Sequence, residues 1–225
     1  MEQRNGPISI PEQLFHTTLT VVDYHEETLG PKCDFCVLGT HTTASSAKNF
    51  ALKALEKLGY QREDFAEYAT QVDTPPELWK HGNDILVYAR APSGKEFMIG
   101  LQVAPNTESL PAGPQNTPQL PEGQKQLHYV LHCRTDYSEC NNDTYHCGQI
   151  QGCYLNHKDA LFNAKSVLRV PQAEYFQYDE RESEDVNGGW PFGEDVIVHA
   201  VGLRGEHYNV AVKTVDKAHT KHQKR

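Results

Sequence analysis

The chain has 225 residues, 38% of them hydrophobic, and carries a formal net charge of -9 at pH 7. This length predicts one large domain or two small ones, and the acidic balance argues against a nucleic-acid partner because phosphate binding needs clustered lysine and arginine. No stretch approaches the roughly twenty apolar residues that span a bilayer, and residues 1–13 lack the apolar core of a secretory signal. We therefore expect a cytoplasmic protein with no membrane partner.

In the first half of the chain, two short apolar runs predict two strands, Leu19 to Val22 and Phe35 to Thr40. Apolar residues at helical spacing from Thr43 to Leu58 predict a helix. Gly59 follows, where a left-handed C-cap belongs. The order of these elements is strand, strand, helix.

An irregular segment containing Trp79 comes next. Residues 84–91 are almost continuously apolar, which predicts a buried strand. Residues 97–103 alternate between apolar and other residues, which predicts a half-buried strand, and Gly94 lies in the turn between the two. The second half repeats this order, with a helix that begins near Asn156.

The repetition can be followed residue by residue. Asp23 falls on Asp136 when the numbers are shifted by 113, and a shift of 111 places the two tryptophans, Trp79 and Trp190, on each other. The shared motif is Trp-x-x-Gly-x-Asp-[Ile/Val]-x-Val-x-Ala. Self-similarity at a fixed spacing indicates a duplicated structural unit.

The predicted organisation has five parts: a tail at 1–13, a first copy at 14–104, a linker at 105–126, a second copy at 127–216 and a basic tail at 217–225. The linker is rich in proline, glycine, serine, asparagine and glutamine. We expect it to lack the apolar surface to fold and to cross the face of a domain as an extended segment.

The predicted fold class is α+β, with two tandem β-β-α-β-β repeats. Each repeat is an antiparallel sheet with one helix on one face. Exposing the other, apolar face of a small sheet to water is unfavourable in free energy. We therefore expect the two repeats to pack as a pseudo-twofold pair with a cleft between them.

The motifs also resemble a group of proteins from filamentous fungi that have no known activity. The resemblance rests on the Asp-Tyr that ends the first strand, the Leu38-Gly39-Thr40 before an alanine-rich helix, and the tryptophan motif with its following glycine turn. The second copy keeps the tryptophan motif but has Gln151-Gly152-Cys153 where the first copy has Leu38-Gly39-Thr40. The resemblance implies a fungal origin and nothing about chemistry.

Cys33-x-x-Cys36 has the spacing of half a zinc site, because two thiolates on a tight turn can share a tetrahedral ion. The ligands that the second copy offers are Cys140, His146, Cys147, Cys153 and His157. The alternative places Cys36 in a strand as a small buried hydrophobe, with the cysteines as free thiols. We expect no cofactor, with a zinc site as the alternative.

Aspartates flank predicted strands in both copies, where they could line one cleft as an acid/base pair or cap turns through their own side chains. The candidate catalytic residues are Asp23, Tyr24, Asp136, Tyr137, Asp84 and Asp195. Trp79 and Trp190 are the candidate ligand-binding residues, since an indole can stack on a ligand; the alternative is that they cover a sheet edge or a helix-sheet joint. The twelve histidines show no ligand spacing and are expected to be solvated or satisfied in the core.

No glycine-rich phosphate loop, nucleophile elbow or His-Glu-x-x-His signature is present. The sequence therefore favours a binding or interaction module that holds a protein or small-molecule ligand at the inter-repeat cleft or at sheet edges. It would be a monomer with pseudo-twofold symmetry or a homodimer. The alternatives are a small hydrolase or isomerase that uses the aspartates and tyrosines, and a zinc-stabilised regulatory protein.

Overall fold

The computed structural model describes residues 9–24, 32–135, 146–169, 175–181 and 190–215. These residues divide into two compact units. Unit 1 contains 9–21 and 36–126; unit 2 contains 22–24, 32–35 and the described residues between 127 and 215. The described residues form two five-stranded sheets.

The first sheet has the strand order β2-β1-β5-β4-β3. Its strands are β1 (Gln13–Asp23), β2 (Lys32–His41), β3 (Glu67–Thr70), β4 (Ile85–Arg90) and β5 (Glu96–Pro105). Two short helices lie between β2 and β3 in the chain, α1 (Ala44–Ala51) and α2 (Ala54–Lys57). They cover one face of this sheet.

The predicted helix of the first copy is present as α1 followed by α2. Thr43 begins it as the N-cap, because its Oγ1 accepts a hydrogen bond from the Ser46 main-chain nitrogen at 3.3 Å. Gly59, with φ of 90°, ends it in the predicted left-handed conformation. Leu55 and Ala51 on its inner face are buried in one core cluster with Leu19, Val87 and Ile99 of the sheet.

The second sheet has the strand order β7-β6-β10-β9-β8. Its strands are β6 (His128–Thr135), β7 (His146–Tyr154), β8 (Tyr175–Glu180), β9 (Val196–Gly202) and β10 (His207–Thr214), and one helix, α3 (His157–Ala164), packs on it. Ala160, Ala164 and Leu168 are buried against Val198 and Val210.

The predicted α+β class with two tandem repeats is confirmed, because equivalent elements occur in the same order. α1 and α3 begin at residues that differ by 113, and β4 and β9 at residues that differ by 111. Each sheet has one strand more than the predicted four. The added strands, β3 and β8, lie at the sheet edges, where only one side of a strand is paired and the sequence pattern is weak.

The predicted linker packs on unit 1. The Asn106 amide donates to the carbonyls of Pro11 and Leu110 at 2.8 and 2.9 Å and accepts from the Leu110 main chain at 2.9 Å. Leu110 is 1% exposed, and the Thr42 main-chain nitrogen donates to the Asn116 carbonyl at 2.7 Å. One buried leucine and these hydrogen bonds order a segment that its composition predicts to be unfolded.

In the described ranges, no helix has both the length and the apolar character needed to cross a lipid bilayer. The basic tail and most of the N-terminal tail lie outside the described residues.

Candidate functional site

An open groove on unit 1 runs between the two helices and the edge strand β3. It consists of two adjoining cavities of about 490 and 440 Å³ that share Leu52 and Val72. The helical side includes Lys48, Leu52 and Glu56, and the other side includes Tyr68, Val72 and Asp73. We call this the helix-edge groove.

The groove follows from local sequence. Lys48, Leu52 and Glu56 are four residues apart and therefore lie on one face of the helical segment. Opposite them, the Thr70 hydroxyl donates to the Asp73 carboxylate at 2.7 Å, and this short turn leaves Val72 72% exposed. The groove consequently has apolar side chains along its middle and is open to solvent.

Charged groups lie at one end of the helix-edge groove. The Arg62 guanidinium is 3.6 Å from the Asp73 carboxylate and 4.8 Å from the centre of the Tyr68 ring. Burial raises the pKa of Tyr68, so its phenol stays protonated at neutral pH. Both partners of the ion pair are exposed, and such pairs contribute little to stability. These groups suit recognition better than nucleophilic chemistry.

Unit 2 has a different arrangement at the equivalent position. Lys165 lies 113 residues after Leu52, and each directly follows its helix as the C-cap. The Lys165 ammonium is 3.3 Å from a Glu180 carboxylate oxygen on β8, and the Arg169 guanidinium is 3.5 Å from the same oxygen. Ion pairs therefore bridge α3 and β8, where unit 1 has an apolar groove.

Trp79 belongs to an aromatic stack on unit 1. Its ring meets His81 edge-on at 4.8 Å, and His81 lies parallel to Tyr88 of β4 at 3.8 Å. The Trp79 Nε1 donates to the Gly82 carbonyl at 2.7 Å, and the Tyr88 hydroxyl donates to the Glu96 carboxylate at 2.7 Å. Burial, and then Glu96, raise the pKa of Tyr88. The Trp79 indole thus contacts residues close to it in the sequence, and its role in ligand binding stays a prediction.

Trp190 begins the equivalent stack on unit 2. Its ring meets Phe192 edge-on at 5.0 Å, and Phe192 lies parallel to His199 of β9 at 3.8 Å. The His199 Nε2 is 3.2 Å from the His207 Nδ1, and the His199 Nδ1 is 3.7 Å from the Asp179 carboxylate. Two titratable rings therefore replace Tyr88 and Glu96.

Sequence reasoning missed this pair of histidines. It treated His199 and His207 as scattered, because they lack the spacing of metal ligands. The shift of 111 residues was the available signal, since it aligns them with Tyr88 and Glu96.

Two of the candidate aspartates lie in solvent at strand starts. Asp84 and Asp195 are exposed, and their main-chain carbonyls accept from the nitrogens of Leu101 and Val212, both at 2.9 Å. Their main chains thus extend the strand pairing of β4 and β9.

The other candidate acid/base residues lie at the end of β1 or are not described. Asp23 is half-buried, and Tyr24 is 45% exposed. Asp136 and Tyr137 lie outside the described residues. The predicted cleft with paired carboxylates stays a prediction.

The candidate zinc ligands Cys33 and Cys36 both lie on strand β2 and not on a tight turn. Because Cys33 and Cys36 are three residues apart on a strand, their side chains point to opposite faces of the sheet. Cys36 is part of the apolar core of unit 1. Burial, followed by the nearby Cys133 and Asp34, raises the pKa of Cys33 to about 12. A protonated thiol is a poor metal ligand and a poor nucleophile.

The remaining metal candidates come from the second copy. His146 and Cys147 are on β7 with side chains outside the described part of the chain, as is all of Cys140. Cys153 is buried, and His157 begins α3. Among the side chains that the structure describes, no three histidine, cysteine, aspartate or glutamate residues are close enough to hold a metal ion.

Comparison of the chain with protein-family models, with curated proteins and with solved structures finds no match. The resemblance to fungal proteins thus rests on the motifs alone and stays a prediction.

Proposed function

We propose that this protein is a binding module whose ligand site is the helix-edge groove, and that the ligand is an extended, apolar peptide segment of a partner protein. The observation that carries the proposal is the apolar groove beside an edge strand. Val72 is 72% exposed there, and Leu52 and Leu86 line the same cavity.

The position of β3 supports an extended peptide. As the last strand in its sheet, β3 has a neighbouring strand on one side only among the residues that the structure describes. An edge strand presents unpaired N–H and C=O groups that can hydrogen-bond the main chain of an added strand. Alternate side chains of that added strand would then enter the helix-edge groove.

The dimensions of the groove agree with this ligand. Its helical side runs from Ala44 to Glu56. At a rise of about 1.5 Å per residue, that side is roughly 18 Å long. This length accommodates about five residues of extended chain at roughly 3.3 Å each. A compact small molecule would leave much of such an open groove unfilled.

The distribution of charge also favours binding over catalysis. Lys48 and Arg62 are offset by Glu56 and Asp73, so the lining carries both signs and suits a peptide with little net charge. The exposed candidates Asp84 and Asp195 are not among the lining residues of this groove. The hydrolase alternative gains no support from it.

The test uses seven-residue peptides that alternate valine and threonine, with block-ordered peptides of the same composition as controls. Alternating peptides should bind more tightly, and Val72→Lys should weaken their binding at least tenfold. Leu52→Lys, which copies the lysine of unit 2, should act in the same direction. The matched control is Lys165→Leu in unit 2, which should leave the affinity within about twofold.

Amide hydrogen exchange then locates the ligand. Bound peptide should slow exchange in residues 67–73, because the edge of β3 gains partners. Equal binding by the wild-type and Val72→Lys proteins, or protection confined to other segments, would show that the groove is not the site.

A further inference from the structure

The charges of the helix-edge groove are separated along its length. In the first cavity, Lys48 is the one charged side chain among the described lining residues. In the second cavity the charged side chains are Glu56, Arg62 and Asp73. The Arg62 guanidinium is 3.6 Å from the Asp73 carboxylate, so these two charges offset each other and Glu56 leaves this cavity negative. One end of the groove is therefore positive and the other end is negative.

Lys48 and Glu56 can both contact a ligand. Both residues are exposed, and neither has an ion-pair partner in the part of the chain that the structure describes. Lys53 and Lys57, the other lysines of the helical segment, are not lining residues of either cavity. An acidic group of a bound peptide would thus meet Lys48, and a basic group would meet Glu56.

The spacing of the groove side chains matches that of an extended peptide. Lys48, Leu52 and Glu56 follow one another at four-residue intervals, which is about 6 Å along the helical segment. In an extended chain every second side chain lies on the same face, at intervals of about 6.6 Å. Three alternate side chains of one added strand can therefore contact Lys48, Leu52 and Glu56 in turn.

The path of β3 gives the added strand a direction. Tyr68 lines the second cavity, whereas Gln71, three residues later, lines the first. The chain thus runs from the Glu56 end of the groove toward the Lys48 end. An antiparallel strand, which pairs slightly more stably per residue than a parallel one, would have its amino end at Lys48 and its carboxyl end at Glu56.

We propose that the helix-edge groove selects peptides with the pattern acidic-x-apolar-x-basic, read from the amino end and bound antiparallel to β3. The acidic side chain pairs with Lys48 and the basic one with Glu56. Between them, the apolar side chain packs on Leu52 and Val72, which line both cavities. This specificity rests on the proposed function, because it requires that the groove takes up an added strand.

The test compares two seven-residue peptides of identical composition, blocked at both ends so that only side chains are charged. The first is Thr-Glu-Thr-Val-Thr-Lys-Thr, and the second exchanges its glutamate and lysine. At about 50 mM salt the first should bind at least about threefold more tightly, and the preference should shrink at about 0.5 M salt, because exposed charges are screened. A third peptide, in which the lysine directly follows the valine, presents the lysine on the opposite face and should lose this advantage.

The matched protein variant exchanges the two charges, Lys48→Glu with Glu56→Lys, and keeps the net charge unchanged. It should reverse the preference, so that the second peptide binds more tightly, whereas a distorted groove would weaken the binding of both peptides. The control variant, Lys57→Glu with Glu63→Lys, exchanges exposed charges that do not line the groove and should keep the wild-type preference.

Two outcomes would overturn the charge pattern: equal binding of the first two peptides by the wild-type protein, or an unreversed preference in the charge-exchanged variant. If the uncharged valine-threonine peptide still binds in either case, and Val72→Lys still weakens its binding, the groove remains the ligand site and only this specificity fails. If neither charged nor uncharged peptides bind, the proposed function fails together with the specificity.

Discussion

The two units share one strand order but differ at two equivalent places. Where unit 1 has Leu52 and an open apolar groove, unit 2 has Lys165 and an ion-paired bridge to Glu180. Where unit 1 has a tyrosine beneath its aromatic stack, unit 2 has His199. The frameworks are the same while the chemistry of the surfaces is different.

The largest loss of stability is expected from substitutions in the two cores, where the units are most alike. Leu55 and Leu168 are equivalent core residues, 2% and 5% exposed. Leu55→Ala and Leu168→Ala should each lower the free energy of unfolding by about 2–5 kcal/mol through lost burial and a cavity. Urea denaturation followed by Trp79 or Trp190 in single-tryptophan proteins measures each unit. Costs that differ by more than about 2 kcal/mol would show that the two cores are not equivalent.

The second-largest expected effect is a pH dependence of stability that distinguishes unit 1 from unit 2. His16 in β1 is fully buried, and burial, followed by His41, lowers its pKa to about 4. Unit 2 has Tyr129 at the equivalent position. Between about pH 6.5 and 4 the unfolded chain holds a proton on His16 that the folded chain lacks, so stability falls with falling pH, by about 3 kcal/mol in total.

His16→Gln should remove that part of the pH dependence. Urea denaturation of the Trp190→Phe protein, with Trp79 as the reporter, at pH values across this window measures the slope. An unchanged slope in His16→Gln would assign the acid sensitivity to other groups.

A smaller effect is expected at Gly148 of β7. A Cβ atom there would overlap the ring of Phe35, which belongs to the same unit. Gly148→Ala should cost about 1–3 kcal/mol, because the ring must leave its packed position. Gly39→Ala is the control in unit 1, since its Cβ would lie 3.1 Å from the outer atoms of the Phe50 ring, which can give way. Thermal denaturation compares the stabilities of the two variants. An equal loss of stability at both positions would contradict this account.

The smallest effect concerns the ionic bridge of unit 2. Glu180→Gln removes the charge that Lys165 and Arg169 share, and should cost less than about 1 kcal/mol because these side chains are partly exposed. Urea denaturation reported by Trp190 measures it. A loss above about 2 kcal/mol would give the bridge a structural importance that surface ion pairs rarely have.

Sequence patterns identified the helices and strands whose apolar residues alternate or recur at a regular spacing. The helix from Thr43, the strands β4 and β5 and the left-handed glycines all follow from spacing and turn chemistry. The edge strands β3 and β8 do not follow from such patterns. β3 has four residues, and only Thr70 among them is buried, so its hydrophobic pattern is too short to read.

The candidate sites were less predictable than the fold, because they depend on side chains that are distant in sequence. The helix-edge groove needs Leu52 at the end of α1 and Val72 after β3, and neither residue is unusual in its own segment. The histidine pair becomes visible only when the copies are aligned. The cysteine spacing left a zinc site as an alternative to free thiols, and only the structure shows that Cys33 and Cys36 lie on a strand, with their side chains on opposite faces.

The strand order also determines when each sheet can be completed. The middle of the first sheet pairs β1 with β5, the first and last strands of that sheet in the chain. On a ribosome that adds about 5–20 residues per second, β1 therefore waits several seconds for its central neighbour to be synthesised. Such long-range pairing also slows refolding in solution, since a large loop must close before the contacts are gained. We expect nascent chains that end before Glu96 to depend on chaperones, which would shield β1 until β5 emerges.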